Sequence, residues 1–251
     1  MSVKLSICIV AYNNYKDIEE AIASMEKYTS STLKKKIYIV DNGVAIANPS
    51  AVEEFKQFIR EITEVEYIDA GVNLGYGKGH NRVLNVMDSE YHAIVNPDVL
   101  FCEDAFREIV EWMDANKEVG MVIPLITDEE GKRQEVYRRE LTVFDMFNRM
   151  FLKSAFRARA AKHTMQDMDF SRPFRVPFGQ GSFLIIRSKL FKQLGGFDDN
   201  FFMYVEDADL CKRVNQVSQV MYYPGTRVIH RWEKGSHKSK TLFRYHIESM
   251  L

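Results

Sequence analysis

Short apolar runs alternate with amphipathic stretches through the first half of the chain. Uninterrupted apolar runs are typical of strands buried on both faces, and they occur at Leu5–Val10, Ile37–Val40, Val65–Ile68, His92–Val95 and Gly120–Ile123. Apolar residues at helical spacing predict helices at Lys16–Tyr28, Val52–Ile62 and Glu103–Asn116. The alternation predicts an α/β fold in which a mostly parallel, Rossmann-like sheet is flanked by helices on both faces.

A glycine-rich segment, Asn73–Gly79, interrupts this pattern as a predicted turn, and a helical stretch follows it as far as Met87. Beyond residue 125 the pattern is less regular, with no internal repeat and no low-complexity linker. A length of 251 residues suits one α/β domain of ordinary size. We therefore expect a single domain over residues 1–251, in which a half of about 126–251 extends a half of about 1–125.

Composition narrows the classes of function. About half of the chain is apolar (46%), and the formal net charge of −1 does not indicate a nucleic-acid partner. The three cysteines (Cys8, Cys102 and Cys211) are dispersed in apolar contexts, which is typical of reduced thiols in a cytosolic protein. We recognise no signal peptide and no apolar run of the ~18 residues that a membrane span needs. We therefore expect a cytoplasmic protein.

Basic residues are concentrated between Lys132 and Arg175, where aromatic and apolar side chains such as Phe147 and Phe151 are interleaved with them. One interpretation is a helix that packs on the core and exposes a basic face to solvent. The other is an interfacial surface facing anionic lipid or a phosphorylated acceptor. In that case this segment and Thr241–Leu251 would hold the protein peripherally at the inner face of the cell membrane.

Polar residues follow several of the predicted strands. Ligands of parallel α/β sheets bind outside the carboxyl ends of the strands, but turns favour Asn and Asp in any protein. Here polar residues follow several separate strands, and this repeated occurrence favours a ligand site. The polar groups, in chain order, are Ala11-Tyr12-Asn13, Asp41-Asn42, Asp69 and Asn96-Pro97-Asp98.

Asn96-Pro97-Asp98 has two interpretations. The motif fits a β-turn, because proline suits the second position of such turns. Alternatively, Asp98 binds a hard divalent cation such as Mg²⁺ or Mn²⁺, which takes few ligands from the protein and completes its shell with phosphate and water.

The glycine-rich segment from Asn73 to Asn81 could cradle a phosphate through its backbone N–H groups. Gly75-x-Gly77 begins like a dinucleotide fingerprint, but the third glycine would fall at His80, and the segment follows the third predicted strand. The P-loop signature is also absent from the sequence. These mismatches argue against a dehydrogenase and a P-loop NTPase.

Three carboxylates (Glu206, Asp207 and Asp209) lie within the apolar run Phe202–Leu210. Burial of acids costs desolvation energy, so the fold or the function must compensate. They suit either the N-terminus of a helix or a catalytic site. His230 ends the predicted strand Thr226–Ile229, where it is either structural or a metal ligand beside a mobile, phosphate-contacting segment.

Taken together, these motifs resemble those of family 2 glycosyltransferases with the GT-A fold. More narrowly, they resemble those of the bacterial rhamnosyltransferases of cell-wall, capsule and O-antigen assembly. The resemblance keeps the family's order and covers roughly residues 3–236. It is carried by Ile9–Asn13, Val40–Asn42, Asn73–Gly77, Asn96–Val99, Gly181–Ile185, Gly195–Asp198, Phe202–Leu210 and Val228–His230.

The resemblance implies a role for each matching residue. Asp98 and His230 would ligate Mg²⁺ or Mn²⁺, although Asn96 replaces the first aspartate of the family's Asp-x-Asp motif and would weaken metal affinity. Asp207 matches the catalytic base, and Glu206 is the competing candidate. The half of about 1–125 would bind the nucleotide sugar, and the half of about 126–251 would be a C-terminal acceptor-side extension that also carries the catalytic residues. Residues on the acceptor side would be Gln180, Gly181 and Trp232. The nucleotide sugar would contact Ala11, Tyr12, Asn13, Asp41, Asn42, Asn73, Gly75, Lys78 and Asn96.

The implied function is an inverting, metal-dependent transfer of L-rhamnose from dTDP-β-L-rhamnose to a growing bacterial polysaccharide or a polyprenyl-diphosphate-linked acceptor. A carboxylate would deprotonate the acceptor hydroxyl, and the metal would neutralise the departing diphosphate. The alternatives are a UDP-hexose donor with the same fold and a non-catalytic nucleotide-sugar-binding module. A sugar-nucleotide pyrophosphorylase is a third alternative, but Ile9–Asn14 lacks the glycines of its N-terminal loop.

Overall fold

The computed structural model of the chain describes residues 3–43, 47–139 and 161–231. Within these residues a nine-stranded sheet consists of β1 (Val3–Ala11), β2 (Lys35–Asp41), β3 (Val65–Asp69), β4 (Ser89–Val95), β5 (Val99–Phe101), β6 (Val119–Thr127), β8 (Phe174–Arg175), β10 (Phe183–Arg187) and β11 (Gln219–His230). A small second sheet pairs β7 (Tyr137–Arg138) with β9 (Phe178–Gly179). The helices are α1 (Tyr15–Tyr28), α2 (Pro49–Arg60), α3 (Tyr76–Asn81), α4 (Ala105–Ala115), α5 (Ser188–Gln193) and α6 (Glu206–Val217).

The main sheet has the order β3-β2-β1-β4-β10-β6-β11-β5, and β8 pairs with β11. Strands β1 to β4 are parallel. Strand β10 is antiparallel to both of its neighbours, β4 and β6, and β6 is parallel to β11. The carboxyl ends of β1, β2, β4, β6 and β11 therefore lie at one edge of the sheet. The prediction of a mostly parallel α/β sheet is confirmed.

The core lies between the sheet and its helices. Strand β1 is buried along Leu5–Ala11, as its continuous apolar run predicts. Helix α1 places Ile18, Ile22 and Met25 on one buried face at the predicted helical spacing. Asp104 begins α4 with a side chain that accepts a hydrogen bond from a backbone N–H of the first turn.

The glycine-rich segment differs from its prediction. Helix α3 begins at Tyr76, inside the predicted turn, and it ends at Asn81 rather than near Met87. The close packing of α3 requires glycine, because a Cβ at Gly77 would lie 2.9 Å from Cβ of Phe197. Glycine has a low helix propensity, so the sequence does not predict a helix at these positions. Tertiary packing stabilises the helix there.

The predicted basic segment lies partly outside the described residues, which omit 140–160, and so does Thr241–Leu251. In the described part, Arg139 pairs with Asp167 at 2.8 Å, and the Arg133 guanidinium lies 3.5 Å from the centre of the Phe170 ring. Some of the predicted basic face is thus engaged within the fold. None of the helices in the described ranges is long and apolar enough to span a membrane.

Candidate functional site

The residues that end the predicted strands meet at the carboxyl edge of the sheet. Asp41 ends β2, His230 ends β11, and the turn Asn96–Asp98 directly follows β4. The N–H of Asn96 donates to the Ser182 carbonyl oxygen at 2.8 Å, which joins this turn to the segment entering β10. The edge therefore gathers polar groups from β2, β4, β10 and β11.

The carboxylate of Asp41 is fully buried, and both of its oxygens accept hydrogen bonds. Its Oδ2 accepts hydrogen bonds from the hydroxyls of Tyr15 and Tyr67, both at 2.8 Å, and its Oδ1 accepts the Gly43 N–H at 2.7 Å. Burial, and then the neighbouring Asp41, raise the pKa of both tyrosines. The sequence predicted a nucleotide contact here; the structure also gives Asp41 a structural role, through two tyrosines that no motif singled out.

Asn42 and Tyr12 lie beside Asp41 at the ends of β2 and β1. The N–H of Asn42 donates to the Ala11 carbonyl at 2.9 Å, and its side-chain Nδ2 donates to the Gly75 carbonyl at 2.9 Å. The Oδ1 of Asn42 is buried without a hydrogen-bond partner in the described part of the chain. Tyr12 is 48% exposed, and Asn13 follows it with a φ of 60°. The exposed ring of Tyr12 is a group that a nucleotide could contact, whereas a contact of the buried Asn42 with the nucleotide stays a prediction.

The glycine-rich segment packs against the segment that precedes α6. Gly75 has a φ of 84°, and its N–H donates to Asn73 Oδ1 at 2.9 Å. A Cβ at Gly75 would overlap the Phe202 carbonyl oxygen, which accepts the Tyr76 N–H at 3.0 Å. Lys78 lies on α3 and is partly exposed. Close packing therefore explains why glycine is needed at Gly75. Contact of this segment with phosphate stays a prediction.

Asp98 and His230 form a pair that fits a metal ion. Asp98 Oδ1 lies 3.4 Å from His230 Nε2, and adjacent ligands of an octahedral ion at ~2.1 Å stand about 3 Å apart. His230 is buried, and its Nδ1 lies 3.0 Å from Oε1 of Gln134, a residue that no motif singled out. The described residues hold no group of three His, Cys, Asp or Glu side chains suited to a metal. A metal ion would therefore need phosphate and water ligands, as Mg²⁺ commonly does.

Tyr76 connects the turn Asn96–Asp98 to the acidic residues Glu206 and Asp207. Its hydroxyl lies 2.6 Å from the Gly181 carbonyl oxygen and 3.0 Å from Asn96 Oδ1. Burial, and then the charges of Glu206 and Asp207, raise the pKa of Tyr76 well above its ordinary value. The hydroxyl therefore stays protonated and can donate to either oxygen.

The neighbouring acids Glu206 and Asp207 occupy opposite environments. Asp207 is partly exposed, and its two oxygens accept the N–H groups of Gly181 (3.0 Å) and Ala208 (2.8 Å). Glu206 is 5% exposed, and its Oε2 has no hydrogen-bond partner in the described ranges. Burial, and then the charge of Asp207, raise the pKa of Glu206 to about 8. Burial and the adjacent charge of Asp207 therefore favour the protonated form of Glu206.

Burial also raises the pKa of Asp207, although the N–H groups of Gly181 and Ala208 and the charge of Arg138 act in the opposite direction. A raised pKa makes the Asp207 carboxylate a stronger base near neutral pH. Asp207 is therefore an accessible, oriented proton acceptor, whereas Glu206 is a buried neutral acid.

Asp209, the third carboxylate of the motif, is structural. It pairs with Arg213 at 2.7 Å. The Arg213 guanidinium donates to the carbonyl oxygens of Leu194 and Gly196 at 3.0 and 2.9 Å. This contact fastens α6 to the turn that follows α5.

The backbone before α6 is strained. Tyr204 and Val205 both have a φ of 72°, in the left-handed region that costs a non-glycine residue roughly 1–2 kcal/mol. A β-branched residue such as Val205 is rarely found there. The two residues turn the chain so that α6 begins at Glu206, directly against Gly181.

The predicted acceptor-side residues are only partly described. Gly181 contacts Asp207, and Gln180, partly exposed, donates its N–H to the Val136 carbonyl oxygen at 2.9 Å. Trp232 lies outside the described residues.

The sequence is similar to a known family and to several characterised proteins. The family model for glycosyl transferase family 2 matches residues 6–195. Rhamnosyltransferase WbbL of Escherichia coli (strain K12) is 27% identical over 206 residues, which are 77% of this chain and 75% of that protein. The N-acetylglucosaminyl-diphospho-decaprenol L-rhamnosyltransferase of Mycobacterium tuberculosis is 26% identical over 246 residues, 92% of this chain and 76% of that protein.

Solved structures share the fold at low identity. GalNAc-T7 with UDP, GalNAc and Mn²⁺ superposes with a TM-score of 0.69 at 15% identity, over 93% of this chain and 45% of that one. The mannosyltransferase PcManGT from Pyrobaculum calidifontis, in complex with GDP-Man and Mn²⁺, gives 0.64 at 16% identity, over 98% and 62%. The chain thus spans about half of the length of these two structures, and the likeness concerns the fold alone.

Proposed function

The chain belongs to glycosyl transferase family 2 and has the GT-A fold, and from this premise we propose that it transfers L-rhamnose from dTDP-β-L-rhamnose, with inversion, to a bacterial glycan or a polyprenyl-diphosphate-linked acceptor. Membership in the family makes the chain a glycosyltransferase related to rhamnosyltransferases. Donor, metal and acceptor belong to the proposal, because function depends on the site rather than on the fold.

One observation carries the proposal: the Asp98–His230 pair, which fits a cation, and the accessible carboxylate of Asp207 lie at the same edge of the sheet. The turn that bears Asp98 is connected through Asn96, Tyr76 and Gly181 to the Asp207 carboxylate. A transferase that forms a glycosidic bond in one displacement needs a leaving-group site and a base on opposite sides of the sugar. The hydrogen-bonded chain supplies a fixed frame for both.

We propose Asp207 as the catalytic base. Each of its oxygens accepts one backbone N–H, which leaves lone pairs that can accept the proton of the acceptor hydroxyl. That hydroxyl oxygen would attack the anomeric carbon while its proton passes to Asp207 and the nucleoside diphosphate leaves. Glu206 keeps its own proton because it is buried beside Asp207, so it adds no second charge at the base.

A divalent cation, bound by Asp98 Oδ1 and His230 Nε2, would neutralise charge on the departing diphosphate. Asp98 offers a partly exposed carboxylate, and His230 offers a buried ring nitrogen. Asn96 is a neutral neighbour already bonded to the Tyr76 hydroxyl. The exposed ring of Tyr12 would face the nucleoside.

The donor assignment is supported by the two rhamnosyltransferase relatives. A UDP-hexose donor is the second candidate, because the low-salt glycan biosynthesis hexosyltransferase Agl10 of Haloferax volcanii is 25% identical over 84% of this chain. The acceptor assignment follows the M. tuberculosis relative, which is named for an N-acetylglucosaminyl-diphospho-decaprenol acceptor. Such an acceptor would bring the chain to a membrane surface.

A transfer assay tests the proposal. The purified chain, with Mg²⁺ or Mn²⁺, is given dTDP-β-L-rhamnose or a UDP-hexose and a short-chain polyprenyl-diphospho-N-acetylglucosamine, and products are identified by mass. We expect a product that is heavier by one deoxyhexose, formed only with dTDP-rhamnose. A product formed only from the UDP-hexose would replace the donor, and donor cleavage in neither reaction would contradict catalysis by this site.

A further inference from the structure

The side chain of Gln134 makes hydrogen bonds to His230, the last residue of β11. Its Nε2 lies 2.6 Å from the His230 carbonyl oxygen and 3.4 Å from the Thr127 carbonyl oxygen, and its Oε1 lies 3.0 Å from His230 Nδ1. Its own N–H donates to the Ile126 carbonyl at 2.9 Å. The amide is therefore fixed between the ends of β6 and β11, against both the backbone and the ring of His230.

These contacts determine where the protons lie. Carbonyl oxygens only accept hydrogen bonds, so the NH₂ group of Gln134 must face the carbonyls of His230 and Thr127. The amide oxygen, which also only accepts, is then the atom that faces His230 Nδ1. Nδ1 must carry a proton, and in a neutral imidazole Nε2 then carries the lone pair.

Nε2 is the ring nitrogen of His230 that lies near the Asp98 carboxylate. A carboxylate oxygen of Asp98 stands 3.4 Å from that nitrogen, so in the neutral ring with Nδ1 protonated the two neighbouring atoms are both hydrogen-bond acceptors. Such an arrangement is unfavourable unless a cation lies between the two atoms. The pair is thus prepared for a cation before any ligand arrives.

We infer that Gln134 is a positioning residue, which holds His230 in the tautomer with Nδ1 protonated and so presents Nε2 as a metal-binding nitrogen. The inference rests on the proposed function for the metal, but it adds a residue that belongs to none of the motifs. Hydrogen bonds from a ligating histidine to a second residue commonly orient the ring, and their loss typically weakens metal affinity 10–100-fold.

The first test is the tautomer in metal-free protein. Long-range ¹H–¹⁵N spectra of uniformly ¹⁵N-labelled chain are recorded at increasing pH until the His230 ring is neutral, with His230 assigned by comparison with His230→Asn, and we expect the remaining proton on Nδ1. A neutral His230 ring with its proton on Nε2 would overturn the inference. This measurement needs no variant of Gln134.

The second test is Mn²⁺ affinity, measured by electron paramagnetic resonance with Mn²⁺ alone and with Mn²⁺ plus dTDP. Gln134→Leu keeps a similar volume but removes the amide, and we expect the dissociation constant to rise about 10–100-fold. Gln134→Glu keeps an acceptor for Nδ1–H but loses the donor to the His230 carbonyl oxygen, so we expect a loss of affinity smaller than that of Gln134→Leu. Gln166→Leu is the matched control, since Gln166 bonds Glu135 and Thr164 instead.

Two outcomes separate this inference from the proposed function. If wild-type protein binds Mn²⁺ and Gln134→Leu binds it equally well, Gln134 does not position the ligand and only the inference fails. If wild-type protein shows the expected tautomer but takes up no Mn²⁺ under either condition, the metal site itself fails, and with it the role of Gln134.

Discussion

Glu206 and Asp207 show how strongly a site depends on surroundings that the sequence does not display. The two acids are adjacent, yet one is buried with an unpaired oxygen and the other accepts two backbone N–H groups. The sequence could present both only as competing candidates for the base. Their environments favour Asp207, because a base must be ionised and within reach of the acceptor.

Asp207→Asn should lower the turnover of the transfer reaction by about 10²–10⁴-fold, the usual contribution of a general base. The amide oxygen can still accept one backbone N–H, so nucleotide affinity should stay within a few fold. Turnover and calorimetric nucleotide binding check this together. Asp209→Asn is the matched control, since Asp209 pairs with Arg213 and should leave turnover nearly unchanged. Near-wild-type turnover of Asp207→Asn would transfer the role of base to Glu206.

Glu206 should make stability depend on pH. Its pKa is raised to about 8 in the fold and is about 4.3 in unfolded chains. Its contribution to the free energy of unfolding is therefore fully present below about pH 4.3 and is lost as pH rises through about 8. Glu206→Gln, neutral at every pH, should flatten the decline in stability between pH 5 and 8. Urea unfolding of the wild type and of Glu206→Gln at several pH values measures this change in the free energy of unfolding. An equal dependence on pH in the two proteins would contradict the raised pKa of Glu206.

Tyr76→Phe should separate the positioning role of the hydroxyl from its effect on stability. Loss of a buried hydrogen bond costs about 1–2 kcal/mol of unfolding free energy. Tyr91→Phe is the control, because the Tyr91 hydroxyl bonds Asp114 at 2.8 Å, at the amino-terminal end of β4, away from the site. Both variants should lose similar stability, but only Tyr76→Phe should lower turnover, by about tenfold or more. Equal turnover of the two variants would reduce Tyr76 to a structural residue.

The residues found by motif and those found by structure differ in kind. Asp98, Asp207 and His230 follow recognisable elements, so the sequence alone could nominate them. Tyr76 and Gln134 act through partners 105 and 96 positions away, and no local pattern records such contacts. The same holds for Tyr15 and Tyr67 around Asp41.

At the scale of elements, the sequence predicts buried strands and amphipathic helices. It does not predict elements whose position depends on contacts with distant parts of the chain. The continuous apolar runs of β1, β2 and β4 lie where predicted. Helix α3 was expected to start later, because its glycines are poor helix formers. The antiparallel insertion of β10 between β4 and β6 could not be predicted, since pairing between distant strands leaves no local signal in the sequence.

Gly75 and Gly71 provide a matched test of close packing. Both have a positive φ, 84° and 72°, but a Cβ at Gly71 would meet nothing within 4 Å, whereas one at Gly75 would overlap the Phe202 carbonyl oxygen. Gly71→Ala should cost about 1–2 kcal/mol for the left-handed backbone alone. Gly75→Ala should cost clearly more and disturb the segment before α6. Denaturant unfolding measures the loss of unfolding free energy in both variants. Equal losses would show that the segment around Phe202 moves without cost to accept a Cβ at Gly75.

At the scale of the whole molecule, both halves of the chain build one sheet. Strand β10, from the second half, lies between β4 and β6 of the first, and the site combines the turn after β4 with the start of α6. A single domain with a nucleotide-binding half and an acceptor half stays a prediction, and this shared sheet supports it. The GT-A fold, by contrast, could be predicted from the order of the motifs and is confirmed.

In the proposed function, the carboxyl edge of this sheet binds a nucleoside diphosphate through a cation between Asp98 and His230. Calorimetric titration of dTDP and of UDP into the wild-type chain and into Asp98→Ala, each with and without Mn²⁺, tests it most directly. We predict Mn²⁺-dependent binding that favours dTDP over UDP and weakens at least tenfold in Asp98→Ala. Nucleotide binding that is indifferent to Mn²⁺, or unchanged in Asp98→Ala, would contradict the account.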